Sequence, residues 1–118
     1  MSMSSDTISE QRLAELLMSL GETADQVAAA LRRAKIVGRQ SSAYQCPLAR
    51  YIAERTRQLV PSARINVRVC AGEVAVEIHQ PDTDEYQEIT VAQPKAAKDF
   101  VKSFDEGGYA DLVDASAA

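Results

Sequence analysis

Apolar positions recur every three or four places along the first sixty residues, and the spacing then drops to two. Leu13, Leu16, Leu17 and Leu20 share one helical face, preceded by Thr7 and Glu10 at capping-box spacing and followed by Gly21 as a stop. Thr23 and Gln26 repeat that capping logic, and Val27, Ala28, Leu31, Ala34 and Lys35 carry a second helix toward Gly38. Residues 39–45 are polar and aperiodic and read as a connection. Pro47 suits the first position of a third helix, where Leu48, Ile52 and Leu59 form the stripe and Pro61 marks the end.

In "RINVRVCAGEVAVEIH" the apolar residues Ile65, Val67 and Val69 alternate with polar ones, as do Val74, Val76 and Ile78 after the Ala71-Gly72 pair. Pairing Val69 with Val74 brings Val67 to Val76 and Ile65 to Ile78, which gathers six β-branched side chains on one face and leaves Arg68, Glu77 and His79 on the other. Residues 86–91 predict a third strand. Pro94 opens a fourth helix with Ala97, Phe100, Val101 and Phe104 at i, i+3, i+4 and i+7, and a short turn around Tyr109 and Leu112 docks back. The expected fold is α+β, one domain over residues 1–118. It has N-terminal helices, an antiparallel β-hairpin extended to about three strands, and a C-terminal helix packed on the sheet, with 1–6 and 115–118 as disordered tails.

Length and composition fit that expectation: 118 residues build one core, and 46% apolar with 25% charged residues is average for a globular chain. No apolar run approaches the roughly 18 residues a membrane span needs, and the start lacks a basic segment followed by an apolar one. A cytoplasmic protein without membrane association is expected. Cys46 and Cys70 make no metal-ligand spacing and read as free thiols, so no metal and no cofactor are expected.

Charge adds an asymmetry. Residues 1–60 hold eight Lys or Arg against six Asp or Glu, whereas 61–118 hold five against eleven. Within 32–57, Arg32, Arg33, Lys35, Arg39, Arg50, Arg55 and Arg57 face only Glu54. That segment is the candidate nucleic-acid surface, with Arg32, Arg33, Lys35, Arg39, Arg50 and Arg57 as phosphate contacts and Tyr44 and Tyr51 interleaved. Residues 13–33 have the layout of a helix-turn-helix, in which Thr23 and Gln26 would lie near base edges. Glu22 and Asp25 at the start of that second helix would repel phosphate, and two packed helices of a mixed domain is the stronger expectation.

Cys46 is the candidate nucleophile. A thiol at a helix N-terminus with Arg50 nearby has a physical route to a thiolate, as an enzyme or a redox sensor would need. Catalysis also asks for a positioned base, and nothing in the sequence ties His79 to Cys46. The carboxylates of Asp82–Glu85 fail as a calcium loop, because Gln87 and Gln93 stand where Gly and Glu are required. The stretches "GRQSSAYQCPLARYI" and "KDFVKSFDEGGYADLV" resemble a group of small uncharacterised proteins from high-GC bacteria with a Cys-Pro-Leu-Ala core and an aromatic-Asp-x-Gly tail. The resemblance covers about half the chain and implies no activity and no site residue. The leading expectation is a small non-enzymatic binding or regulatory protein acting through a protein partner or self-association, followed by nucleic-acid binding through 32–57 and then by chemistry at Cys46.

Overall fold

The computed structural model describes residues 9–70, 72–81 and 86–114. Thr7, the Asp82–Glu85 loop and both expected tails lie outside the described residues. The fold is α+β: the described residues form four α-helices and a three-stranded antiparallel sheet in the order β1-β2-β3.

Helix α1 (Glu10–Met18) is capped by Ser9, whose Oγ accepts from Arg12 N at 3.1 Å. Helix α2 (Ala24–Arg33) starts at Thr23 as the sequence predicts, with Thr23 Oγ1 accepting from Gln26 N at 3.1 Å and Gln26 Oε1 accepting from Glu22 N at 2.7 Å. It ends well before Gly38, the expected stop. Lys35 takes a left-handed conformation (φ 60°), Lys35 N donates to Arg32 O and Ile36 N to Leu31 O, both at 3.0 Å, and Ile36 turns back onto the core. This is a Schellman ending with lysine where glycine is usual. Gly38 has another task. Its N donates to Leu112 O at 2.9 Å and its O accepts from Asp114 N at 2.8 Å, which ties the C-terminal segment to the α2–α3 connection. A Cβ at Gly38 would collide with the backbone of Gln45, Cys46 and Pro47.

Helix α3 (Pro47–Leu59) has Pro47 in its first turn, where the missing N–H costs no hydrogen bond. Strands β1 (Arg64–Cys70) and β2 (Glu73–His79) pair as the alternation requires: Val69 opposite Val74, Val67 opposite Val76 and Ile65 opposite Ile78. Strand β3 (Tyr86–Ala92) adds Val91 opposite Val74 and Ile89 opposite Val76. Helix α4 (Lys95–Asp105) follows Pro94, and a 3-10 turn (Ala110–Leu112) buries Leu112.

The strands bury one face under the helices. α3 lies on β1 and α1 on β3, while the most extensive packing of α4 is with α2. Phe100 and Phe104 stack at 5.8 Å between ring centres and join Leu13, Leu31, Ile52 and Val74 in a single core. Each phenylalanine so buried stabilises by about 1.5–3 kcal/mol.

Candidate functional site

The opposite face of the sheet is covered by no helix or strand of the described residues. Its rows follow from the register: Arg64, His79 and Tyr86; Asn66, Glu77 and Glu88; Arg68, Ala75 and Thr90; Cys70, Glu73 and Ala92. Two tyrosines stand out of it. Tyr86 is 60% exposed and stacks on His79 at 5.2 Å, and Tyr44 is 52% exposed and stands over Asn66, Arg68 and Ala75. Tyr44 is brought there by the α2–α3 connection, which runs along the free edge of β1 and accepts from Val69 N at Ala43 O (2.8 Å). Arg68 lies between two groups that hold its guanidinium pKa above the ordinary value, the Cys70 thiol first and then a hydrogen bond with Tyr44. Glu77 and Glu88 are directly opposite each other, a like-charge pair that cross-strand electrostatics disfavours. His79 Nε2 sits 3.6 Å from Glu77 Oε1.

The basic segment is divided by the fold. Lys35, Arg50 and Arg57 come together, with Glu54, around a groove of about 490 Å³ floored by Ile36, Val37 and Ala53 and flanked by Tyr44. Arg33 and Arg39 are exposed and outside that groove. Arg32 is held by the acidic C-terminal segment: its Nε reaches Asp111 Oδ2 at 2.6 Å and its Nη2 reaches Asp111 Oδ1 at 3.2 Å. This bidentate bond holds the Asp111 carboxyl below its ordinary pKa. Arg50 Nη1 donates to Val37 O at 3.0 Å and to Asp114 Oδ2 at 3.1 Å. Asp25 of α2 accepts from Tyr109 Oη at 2.6 Å. The polar edge of α2, which the helix-turn-helix expectation would send toward bases, is thus engaged by Tyr109 and Asp111. α1 has its main packing on β3 instead of pairing with α2.

Cys46 is the N-cap of α3 and is 3% exposed, its Sγ accepting from Ala49 N at 3.4 Å. Burial pushes its thiol pKa up, outweighing the backbone N–H groups that pull the other way. Arg50, the cation expected to activate it, is bonded to Val37 and Asp114. Helix-terminal placement here comes with desolvation, which weighs against a thiolate at Cys46. Cys70 is the exposed thiol. The sequence carried a sign of this, since Cys70 has the parity of Arg68 on β1, the solvent side of the alternation.

Among the described residues, no helix is long and apolar enough to cross a membrane, and no group of three His, Cys, Asp or Glu side chains is placed to hold a metal ion. Comparison with known proteins gives no match to a family model, to a curated protein or to a solved structure.

Proposed function

We propose that this chain is a non-enzymatic binding or regulatory protein that docks a protein partner on the open face of its sheet. The observation that carries this reading is the pair of exposed tyrosines, Tyr44 and Tyr86, set among charges on a face that the helices of the described residues leave uncovered. Tyrosine offers a large, stiff, amphipathic contact, and exposed aromatics ringed by charge are the usual anchors of protein interfaces. The charges are arranged to be answered from outside. Arg64 and Arg68 line β1, while Glu77 and Glu88 oppose each other across β2 and β3, and among the described residues no Lys or Arg is ion-paired with either, His79 Nε2 lying 3.6 Å from Glu77. A partner presenting a cation at the glutamates and acidic groups along β1 relieves the first and pairs with the second.

Nucleic-acid binding is the weaker reading. Two of its cations, Arg32 and Arg50, are already neutralised by Asp111 and Asp114, so the groove at Lys35 and Arg57 offers few free charges to a phosphate backbone. Affinity capture from cells that make the protein, read by mass spectrometry, tests the choice. A protein retained by the wild type and lost by Tyr44→Ala with Tyr86→Ala, at unchanged thermal stability, is the expected result. Retention that is indifferent to both tyrosines but abolished by Lys35→Glu with Arg57→Glu and by moderate salt would transfer the function to the groove.

A further inference from the structure

The two edges of the sheet are treated differently. Val69 N donates outward to Ala43 O at 2.8 Å, so the α2–α3 connection covers the free edge of β1. The same bond sets the direction of the backbone groups across the sheet. With Val69 facing away from β2, Arg68 and Cys70 face it, and the register then turns Val74 and Val76 of β2 toward Val91 and Ile89 of β3. Gln93 N, donating to Gly72 O at 2.8 Å, gives the same alternation from the other end. The backbone groups of Tyr86, Glu88, Thr90 and Ala92 therefore point away from the sheet. Among the described residues no strand lies beyond β3, and no backbone hydrogen bond reaches those groups from outside it.

Open edges are ordinarily blunted by lysine, proline, a bulge or an inward-pointing charge. β3 has none of these. It runs seven residues in unbroken register, its only charge is Glu88 on the outer face, and Ile89 and Val91 take inward positions. The charges of the outer face are also sorted by strand: Arg64 and Arg68 stand on β1, Glu73 and Glu77 on β2, and Glu88 on β3. His79 shares β2 with the glutamates, its Nε2 3.6 Å from Glu77 Oε1. The open edge is thus the acidic one. A second copy pairing there through its own β3 would bring another glutamate and no Lys or Arg.

We propose that the β3 edge takes up an extended segment of a protein partner as a fourth strand, with Lys or Arg beside Glu88 and apolar residues beside Ile89 and Val91. This rests on the reading of the open face as a docking surface and names how the partner is held there. The outward backbone groups of Glu88 and Thr90 bond to the segment whatever its sequence, and its alternating side chains supply the selection. The cation extends the row of Asn66, Glu77 and Glu88 and offsets the opposition of the two glutamates. Tyr86, at the start of the same edge, presents its exposed ring on the outer face of the added strand.

Amide hydrogen exchange of the whole chain, read by NMR, tests this with a short blocked peptide that alternates valine with lysine and threonine, and with analogues carrying glutamine or glutamate for lysine. In the free chain the Glu88 and Thr90 amides should exchange fast and those of Ile89 and Val91, bonded to β2, slowly. The lysine peptide should slow Glu88 and Thr90 by roughly tenfold or more and bind about threefold tighter than the glutamine analogue, with the glutamate analogue weakest. Glu88→Lys should reverse the order of the lysine and glutamate peptides. Thr90→Pro, which removes an N–H that the chain's own ladder does not use, should abolish the slowing. Whatever Thr90→Pro does to folding, a lysine peptide N-methylated on the residues that face β3 should give no slowing in the wild type. No slowing with the lysine peptide at about 1 mM, or equal binding of all three peptides, would overturn the proposal. So would slowing in the free chain that grows with protein concentration, which would give the edge to a second copy. Peptide-induced slowing together with capture indifferent to Tyr44 and Tyr86 would place the fault in the open-face reading and keep the edge. Capture that needs both tyrosines without slowing at Glu88 and Thr90 would do the opposite.

Discussion

The two faces of the sheet differ in how completely the chain provides for them. On the inner face, Val67, Val74 and Val76 are at most 3% exposed, and each meets β-branched neighbours across the strands and helix side chains above. On the outer face the same backbone carries Arg64, Arg68, Glu77 and Glu88, and the two tyrosines stand into solvent. A face that its own chain closes is a folding device. One that holds opposed like charges and exposed rings at some cost to stability is where a function is to be sought.

The sharpest way to break this contrast is to put the same charge on both faces of one strand. Val67→Asp buries a carboxylate with no partner and should destabilise by about 3 kcal/mol or more, whereas Arg68→Asp, one residue on, should stay within about 1 kcal/mol. Urea denaturation gives both numbers, and equal midpoints would refute the assignment of faces. The helical side offers a second, smaller effect. Gly38→Ala drives a methyl group into the backbone of Gln45, Cys46 and Pro47 and should cost about 2 kcal/mol, with loss of the hydrogen bonds to Leu112 and Asp114. Amide exchange at Asp114 that stays slow in this variant would contradict the tie between these segments.

Much of the inner face was legible because it obeys local rules. Period two along Ile65–Ile78 dictates the hairpin register, and Thr23 and Pro47 begin helices for reasons written within four residues of each. What stayed hidden depends on distance. Arg32 meets Asp111 and Arg50 meets Asp114, pairs 79 and 64 positions apart, so the strong basic run of the sequence is partly neutralised in space. The sequence pattern carries α2 past its true end because Lys35 fits a helical pattern as well as any residue, and only tertiary packing of Ile36 favours the left-handed stop. The burial that raises the Cys46 thiol pKa likewise comes from elements far along the chain. Of the candidate surface, the strand residues were placed by parity, while the position of Tyr44 over the sheet follows from a loop path that no pattern encodes.

Lys35→Gly sharpens the point about α2. Removing the side chain from a left-handed position should stabilise by about 0.5–1 kcal/mol, and destabilisation on thermal melting would mean that the lysine has a structural contact beyond the turn. The smallest expected effect is the pH dependence of the Arg32–Asp111 pair, which is exposed. The Asp111 carboxyl is depressed from its ordinary value of 3.8 chiefly by the Arg32 hydrogen bond, so its contribution is present above that value and is lost as pH falls through the lower folded pKa. The stability gap between wild type and Asp111→Asn should therefore be open at neutral pH and close in strong acid. A gap of the same size at both would assign the effect to something other than ionisation.

Hydroxyl-radical footprinting of the free protein and of its captured complex puts the open face to the most direct test. Tyr44, Tyr86 and Met18 are the exposed large apolar side chains among the described residues, and Met18 lies on α1, away from the outer sheet face. Docking on that face should protect Tyr44 and Tyr86 several-fold and leave oxidation of Met18 unchanged. Protection of Met18 with Tyr44 and Tyr86 as reactive as in the free chain would contradict it.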